Sequence, residues 1–366
     1  MTREPHPSPG NIQRLPWPPN AAGVASVATG SSLTAADLVV AGPNVPATAT
    51  ASALETTPIV CLPHATGSEP PEAADRVHRL ADEAASRGSH VVWIESAEPS
   101  NEPTAAETLS RAGLRGRWVL VTRPRRQAAD VVERLRSLGA TVVSRPAIAI
   151  RPPDDWAAVD AAIARLEEYD WIVFSSVNGA RFLLDRLEEQ SSGLDRLGKT
   201  RLAAIGPGTA DALAQRGLRA DLIPAAYRAE SLAEALVVEA AGKHFLLARA
   251  SRGREVLADR LSAVGARVDQ VVVYRSEDID ADDSRLRPVV ELIDEGRIDW
   301  ITVTSSAIAR SLARLFGSRL GKTRLASISP ITSRVLGDLG YRPAVEARDY
   351  TMEGVVEAML AANEKP

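Results

Sequence analysis

The sequence contains two copies of one pattern, and this duplication constrains the fold more than any other feature. Residues 116–236 align with residues 242–360, and the opening stretches 116–148 and 242–274 align without a gap. The phrase DWIVFSSVNGARFLL, from Asp170, returns as DWITVTSSAIARSLA, from Asp299. Because a repeat of this kind is a duplicated structural unit, we expect both copies to form the same strands and helices.

Each copy alternates strand-like and helix-like segments. GRWVLVTRP is a β-rich run ended by Pro124, and QAADVVERLRSLGA is an amphipathic helix closed by Gly139. TVVSRPAIAI is a further strand-like run. This β-α-β rhythm predicts parallel sheet covered by helices. A shared fold alone explains the repeated apolar positions and the glycines that follow helices.

Composition excludes several classes of function. A net charge of −4 and a pI of about 5.9 argue against a general nucleic-acid or membrane-surface binder. The single cysteine, Cys61, excludes an intramolecular disulfide and favours a reducing compartment. The chain has no signal-peptide core and no apolar run of about 20 residues. We therefore predict a cytoplasmic protein. The five histidines lack metal-ligand spacing, so we predict no metal site.

Polar residues recur where the predicted strands end. In open α/β sheets, ligands bind outside the carboxyl ends of the strands, and two such edges facing each other would form a cleft. The residues at these ends are the pairs Ser175–Ser176 and Thr304–Ser305, the arginines Arg123 and Arg249, and the turns 206–209 and 329–332.

Each of these residues has a structural and a functional interpretation. The hydroxyls would cap helices, or the same turns would offer N–H groups to a carboxylate or phosphate. Arg123 and Arg249 would be solvated surface residues, or would bind carboxylates through two parallel hydrogen bonds. Tyr274 would be a partly buried packing residue with an accessible hydroxyl, or a proton donor with an ordinary pKa of about 10. Since GxSxG, CxxC, HExxH and GxGxxG are all missing from the strand-to-helix junctions, these residues alone name no reaction.

Taken in order, six motifs resemble the uroporphyrinogen-III synthase family over residues 116–361. They are VTRP at 121–124, FSSVNGARFL at 174–183, AAIGPGTADAL at 203–213, VVVYRS at 271–276, TSSAIARSL at 304–312 and YTMEGVVEAM at 350–359. The resemblance implies two α/β domains with parallel sheets joined by a two-stranded linker. It implies residues 116–150 and 275–361 as domain 1 and residues 151–274 as domain 2, so that the repeats are not the domains.

The resemblance also implies a reaction. Enzymes of this family are lyases that cyclise hydroxymethylbilane, a linear tetrapyrrole rich in carboxylates, with loss of water and inversion of ring D. They use no metal or organic cofactor. Tyr274 matches the tyrosine that is the family's candidate for assisting the loss of water. Ser329 stands where the family usually has glycine, and we expect this substitution to alter a backbone N–H donor of the turn. The implied substrate-binding residues are Arg123, Ser175, Ser176, Asn178, Gly206, Thr209, Arg249, Ser305, Ser306, Ser329, Thr332, Tyr350 and Thr351.

The implied partner is the small-molecule substrate, without nucleic acid or membrane, and with neighbouring tetrapyrrole-pathway enzymes as candidate protein partners. The runner-up function is a non-catalytic, two-lobed binding or regulatory protein for an anionic small molecule or tetrapyrrole. The same residues serve both functions, and Tyr274 is the feature that favours catalysis.

Residues 31–113 form an α/β extension that resembles the N-terminal half of uroporphyrinogen-III C-methyltransferase. The glycine-rich loop of that family is replaced by Ser96-Ala97-Glu98-Pro99. Because glycine permits close approach of backbone to a ligand, we interpret the segment as a degenerate half from a gene fusion, without methyl transfer. An unrelated α/β extension is the alternative. Residues 1–30, rich in Pro, Ala, Gly and Ser, predict disorder at least in part.

Overall fold

The computed structural model describes residues 12–17, 36–42, 45, 57–62, 71–87, 89–96, 113–190, 193–253 and 255–363. The chain divides into two compact units. Unit 1 comprises Met1–Ala149 and Asp278–Pro366, and unit 2 comprises Ile150–Glu277. The chain changes unit after residues 149 and 277, whereas the sequence predicts domain boundaries after residues 150 and 274.

Unit 1 contains nine strands in its described part, and they form one sheet in the order β1-β4-β2-β3-β6-β5-β12-β13-β14. Its elements before residue 150 are β1 (Ile12–Trp17), β2 (Leu38–Ala41), β3 (Ile59–Cys61), α1 (Pro71–Ser86), β4 (Val91–Ser96), β5 (Trp118–Val121), α2 (Ala129–Ser137) and β6 (Thr141–Ser144). Those after residue 277 are α8 (Arg287–Asp294), β12 (Trp300–Val303), α9 (Ser306–Phe316), β13 (Arg324–Ser327), α10 (Pro330–Asp338), β14 (Val345–Glu346) and α11 (Met352–Asn363).

Unit 2 has a five-stranded sheet in its described part, in the order β7-β11-β10-β8-β9. Its elements are β7 (Ile148–Arg151), α3 (Ala157–Ala164), β8 (Trp171–Phe174), α4 (Val177–Glu189), β9 (Arg201–Ala204), α5 (Pro207–Ala214), α6 (Ala229–Val237), β10 (His244–Ala250), α7 (Val256–Ala263) and β11 (Arg267–Asp278). Strands β11, β10, β8 and β9 are parallel, so the predicted α/β class is confirmed.

The two sheets contain the same four-stranded arrangement. β5 and β6 of the first repeat correspond to β10 and β11 of the second, and β8 and β9 correspond to β12 and β13. The strand orders β6-β5-β12-β13 and β11-β10-β8-β9 are therefore equivalent. Gly116 and Gly242, which precede β5 and β10, share a positive φ of 72° that favours glycine. Each sheet thus combines the first half of one repeat with the second half of the other.

The repeated acid–Trp phrase joins these halves. The Asp170 carboxylate accepts the backbone N–H of His244 at 2.9 Å, and the Asp299 carboxylate accepts that of Trp118 at 2.8 Å. The hydrogen bond from His244, together with the Lys243 ammonium, lowers the pKa of Asp170. Each acid therefore fixes the start of its own strand to the start of the neighbouring strand, β8 to β10 and β12 to β5.

The sheet of unit 2 is buried on both faces. Along β8, Ile172 and Phe174 belong to one hydrophobic cluster with Leu184 of α4, whereas Trp171 belongs to a second cluster with Leu232 of α6. This alternation follows from the two-residue period of a strand. Because helices cover both faces, the strand is apolar throughout, as parallel strands usually are.

The N-terminal extension belongs to the sheet of unit 1. β3 pairs with β6 in the antiparallel direction, with Val60 opposite Val143. β1 pairs with β4 along Ile12–Trp17, so the predicted disorder of residues 1–30 does not hold there. Main-chain pairing with an edge strand stabilises this segment, and composition does not count such pairing. The other residues of 1–30, and Ala97–Pro99 of the altered loop, lie outside the described residues. None of the helices described is long and apolar enough to cross a membrane.

Candidate active site

The four strands that each sheet takes from the two repeats change their winding direction at one pair of central strands. In unit 2 the chain runs from β8 outward to β9 and from β10 outward to β11, so the change lies between β8 and β10. In unit 1 it lies between β12 and β5. Ligands of open α/β sheets bind at such points, beyond the carboxyl ends of the strands. Ser175 and Ser176 follow β8, Ser305 follows β12, and Arg123 follows β5.

Three predicted site residues of unit 2 meet at the start of α4. The Tyr274 hydroxyl, from β11, is 3.1 Å from Ser176 Oγ, and the Asn178 side chain also hydrogen-bonds it. Ser176 Oγ accepts the backbone N–H of Gly179 at 2.9 Å, which confirms the capping interpretation of this serine. Ser175 precedes this cap and is half-buried.

The environment of Tyr274 keeps its phenol protonated. The residue is 8% exposed, and its ring stacks on Phe182, with centroids 5.9 Å apart. Burial raises the pKa of Tyr274, while the hydrogen bonds from Ser176 and Asn178 oppose this increase. The result is a neutral acid whose conjugate base already has two hydrogen-bond partners.

Gly206 and Thr209 occupy the start of α5. The backbone N–H of Thr209 donates to the Gly206 carbonyl at 3.1 Å, and Thr209 is buried. A Cβ added to Gly206 would lie 3.1 Å from Cγ of Tyr227, so the Tyr227 ring packs on this glycine. Tyr227 is not among the predicted site residues. Its position opposite Tyr350 in the repeat was the available signal.

Arg249, at the end of β10, already has an acidic partner. Its guanidinium forms an ion pair with Glu255 and donates to Gln270 Oε1 at 2.7 Å. The same ion pair lowers the pKa of Glu255. A substrate carboxylate at this arginine would compete with Glu255 for the guanidinium.

Arg123, the equivalent residue in unit 1, is different. Its Nη2 donates to Gln127 Oε1 at 3.1 Å, and no carboxylate among the described residues forms an ion pair with it. Its Nε is buried without an acceptor in the described part of the chain. Burial lowers the pKa of Arg123, and the more distant charge of Asp130 only partly opposes this. Because a desolvated cation without a paired anion is unfavourable, Arg123 is suited to an incoming carboxylate.

The hydroxyls of unit 1 also cap helices. Ser305 Oγ accepts the N–H of Ile308 at 3.2 Å, at the start of α9, whose first residue is Ser306. Ser329 Oγ accepts the N–H of Thr332 at 3.4 Å and lies 3.2 Å from Thr332 Oγ1. Thr332 is buried. These serines therefore cap the helices at the turns whose backbone N–H groups were predicted to bind a carboxylate or phosphate.

Serine in place of glycine at position 329 leaves the turn intact. The backbone of Ser329 has φ −164° and ψ 160°, close to the −174° and 179° of Gly206. This is extended backbone that any residue adopts. The expected change to a backbone donor is therefore not evident in the turn geometry, and the serine adds a side-chain cap.

Tyr350 and Thr351 precede α11. Thr351 Oγ1 accepts the N–H of Gly354 at 3.1 Å, while Tyr350 is 36% exposed. Gly354 is required for packing, because a Cβ there would lie 2.2 Å from the Asp349 carbonyl oxygen. Tyr350 therefore presents its ring to solvent beside a tightly packed helix start.

Together these features define a duplicated α/β protein with donor-rich carboxyl ends on both sheets and a buried phenol on one of them. Within the residues described, no group of three or more His, Cys, Asp or Glu side chains could hold a metal ion. The uroporphyrinogen-III synthase HemD profile matches residues 129–357. The chain therefore belongs to the uroporphyrinogen-III synthase family.

Similar proteins agree with this assignment. A uroporphyrinogen-III synthase of Synechococcus elongatus is 32% identical over 255 residues, covering 67% of this chain and 94% of that protein. One of Chlorobaculum parvum is 29% identical over 228 residues, covering 61% of this chain and 90% of that protein. The crystal structure of a mutant uroporphyrinogen III synthase from the extremely thermophilic bacterium Thermus thermophilus has a TM-score of 0.50 at 17% identity. It covers 68% of this chain and all of that one, and it supports the fold alone.

Proposed function

We propose that this chain closes hydroxymethylbilane to uroporphyrinogen III, with loss of water and inversion of ring D. The observation that carries the proposal is the buried Tyr274 hydroxyl, held by Ser176 and Asn178 at the carboxyl end of the unit 2 sheet. Membership of the family supplies the reaction. A protein that only binds an anionic tetrapyrrole, the runner-up from the sequence, is not favoured by these relatives.

Tyr274 acts as the general acid. Its proton passes to the terminal hydroxyl of the substrate, the carbon–oxygen bond breaks, and water leaves. The resulting phenolate is stabilised by the hydrogen bonds of Ser176 and Asn178, which favour the charged form. The electrophilic carbon left behind bonds to the substituted α-carbon of the last pyrrole ring and gives a spiro intermediate. The bond between that α-carbon and its original methylene bridge then breaks, and the methylene carbon bonds to the free α-carbon of the same ring, which inverts the ring. The proton lost from this second α-carbon restores the phenol, so the net change is the release of one molecule of water.

The substrate carboxylates bind donors at the carboxyl ends of the strands. Arg123 supplies a cation without a carboxylate partner in the described chain, and charge-assisted hydrogen bonds are the strong ones. Holding the chain of pyrroles in a folded geometry is itself catalytic, because orientation lowers the barrier to ring closure. The other proposed substrate-binding residues are Ser175, Ser176, Asn178, Gly206, Thr209, Arg249, Ser305, Ser306, Ser329, Thr332, Tyr350 and Thr351.

The test is to supply hydroxymethylbilane and separate the products by chromatography. Folded protein should give isomer III faster than the spontaneous reaction gives isomer I, and heat-denatured protein should give only isomer I. Tight binding of hydroxymethylbilane with isomer I as the only product would reject the enzyme and support the binding protein.

The extension is proposed to lack methyl transfer. Calorimetric titration with S-adenosylmethionine, the methyl donor, should show no heat of binding, and clear micromolar affinity would overturn this.

A cytoplasmic location and association with neighbouring tetrapyrrole-pathway enzymes belong to the same proposal, because the product is a shared precursor. Co-purification of those enzymes with the chain would test the association.

A further inference from the structure

The N-terminal extension lies, within unit 1, beside the segment that carries Arg123. We call residues 122–128, which connect β5 to α2, the Arg123 loop. β3 of the extension pairs with β6, and β6 pairs with β5. The extension therefore lies one strand away from the strand that leads into this loop.

The loop has a direct hydrogen bond to the extension. Nη2 of Arg125 donates to the Thr57 carbonyl at 2.6 Å. Thr57 is fully buried, and its Oγ1 donates to the Ala36 carbonyl at 3.1 Å. The loop is thus attached to an ordered, buried part of the extension.

A second attachment follows the loop, in α2. Arg136 is 1% exposed and donates to the carbonyls of Leu62 and Val45, each at 2.6 Å, and of Gly42 at 3.1 Å. Leu62 and Gly42 follow the carboxyl ends of β3 and β2, the edge where open α/β sheets bind ligands. A guanidinium from the synthase part of the chain occupies this edge of the extension.

We propose that the extension positions Arg123 for substrate binding, by holding the Arg123 loop through Arg125 and the following helix through Arg136. This rests on the proposed function, in which Arg123 binds a substrate carboxylate. An arginine held in place before binding loses less conformational entropy when the carboxylate arrives. Arg125 and Arg136 are accordingly positioning residues that do not themselves touch substrate.

Arg125→Met in the full chain tests the first contact. We expect KM for hydroxymethylbilane to rise about fivefold to twentyfold, the effect of weakening one charge-assisted hydrogen bond, with kcat within about twofold. Arg125→Lys, which keeps a donor for Thr57, should restore most of the affinity. The matched control is Arg319→Met, which removes a cation paired with Asp294 before β13, in the same unit. An unchanged KM in Arg125→Met, or a lower kcat at constant KM, would overturn the proposal.

Salt distinguishes positioning from long-range attraction. The variant removes one positive charge near a polyanionic substrate, and such attraction is strongly screened at about 0.5 M salt. The ratio of the Arg125→Met and wild-type KM values should persist at that concentration. A ratio that falls to one would assign the effect to charge alone and would refute positioning.

Cys61 gives a readout that does not depend on activity. The thiol is buried in β3, and burial raises its pKa to about 11, so it should react slowly with dithionitrobenzoate. Arg136→Met should raise the reaction rate at least about tenfold, because three buried carbonyls lose their donor and the extension opens more often. An unchanged rate would overturn the role of Arg136. If the wild-type chain makes no isomer III, the proposed function fails, while the Cys61 rate still reports whether Arg136 holds the extension.

Discussion

Replacing Tyr274 by phenylalanine removes one hydroxyl from the candidate acid and leaves the ring in place. The ring keeps its stacking on Phe182. Ser176 Oγ keeps the N–H of Gly179, since that bond is independent of the phenol. Only the hydrogen bonds of the phenolic oxygen with Ser176 and Asn178 are lost.

The two consequences of Tyr274→Phe have different sizes. Losing these two partly buried hydrogen bonds costs about 2 kcal/mol of folding stability, which for unit 2 corresponds to about 6–12 °C in Tm. Losing a general acid lowers a rate by about 10²- to 10⁴-fold, which corresponds to about 3–5 kcal/mol in the activation barrier. The rate should therefore fall far more than the stability.

The assay measures isomer III formation at 25 °C with protein whose folding is checked by circular dichroism. Tyr169→Phe is the matched control, because Tyr169 is also buried in unit 2 and its hydroxyl donates to Asp269 at 2.8 Å. Both variants should lose similar stability, and only Tyr274→Phe should lose rate. A Tyr274→Phe rate within about twofold of wild type, or equal losses in both variants, would refute the acid assignment.

Two further predictions concern packing and pH. Gly179→Ala should lower stability by about 1–3 kcal/mol in thermal unfolding, because the new Cβ would lie 2.9 Å from the Ala248 carbonyl oxygen. Gly337→Ala, in α10 with nothing within 4 Å, should raise it by about 0.5–1 kcal/mol, and equal signs would contradict the packing argument. Burial, and then Asp269, raise the pKa of Tyr169 from 10.0 to about 12. The folded state therefore keeps a proton that the unfolded state loses, and urea-unfolding stability should fall as the pH rises from about 10 to about 12. Tyr169→Phe should flatten this decline, and identical pH profiles would exclude Tyr169 as its source.

The repeat made much of the local structure predictable. Aligning the two copies fixes which strands and helices correspond, and polar residues directly after apolar runs indicate strand ends. The N-caps Ser176 and Ser305 follow from the same pattern, because a hydroxyl before a helix start has one common structural use.

The contacts between distant residues could not be predicted. Tyr274 and Ser176 are 98 residues apart, and their meeting depends on the register of β11 beside β10 and on the placement of α4. Likewise Arg123 and Arg249 are equivalent by sequence, yet only Arg249 has a carboxylate partner among the described residues. Arg249 and Glu255 are six positions apart in the sequence, and nothing in the spacing alone distinguishes this pair from two solvated ions.

The antiparallel junction of β3 with β6 also lacks a local signal. Both strands are short apolar runs, and such runs fit either direction of pairing. The direction is decided by the path of the chain through the extension. The strand at Ile12–Trp17 was missed for a related reason, because it depends on an edge strand far along the sequence.

The exchange of halves between the repeats has a consequence for biosynthesis. Unit 2 is one continuous stretch, Ile150–Glu277, so it holds every strand of its own sheet core once it has left the ribosome. Unit 1 cannot complete its sheet at that time, because the strand that pairs with β5, β12, has not yet been synthesised. An unpaired strand edge invites wrong pairing. We therefore expect the nascent chain to be most vulnerable to aggregation, and most dependent on chaperones, from the time β6 is complete until residue 303 has been made.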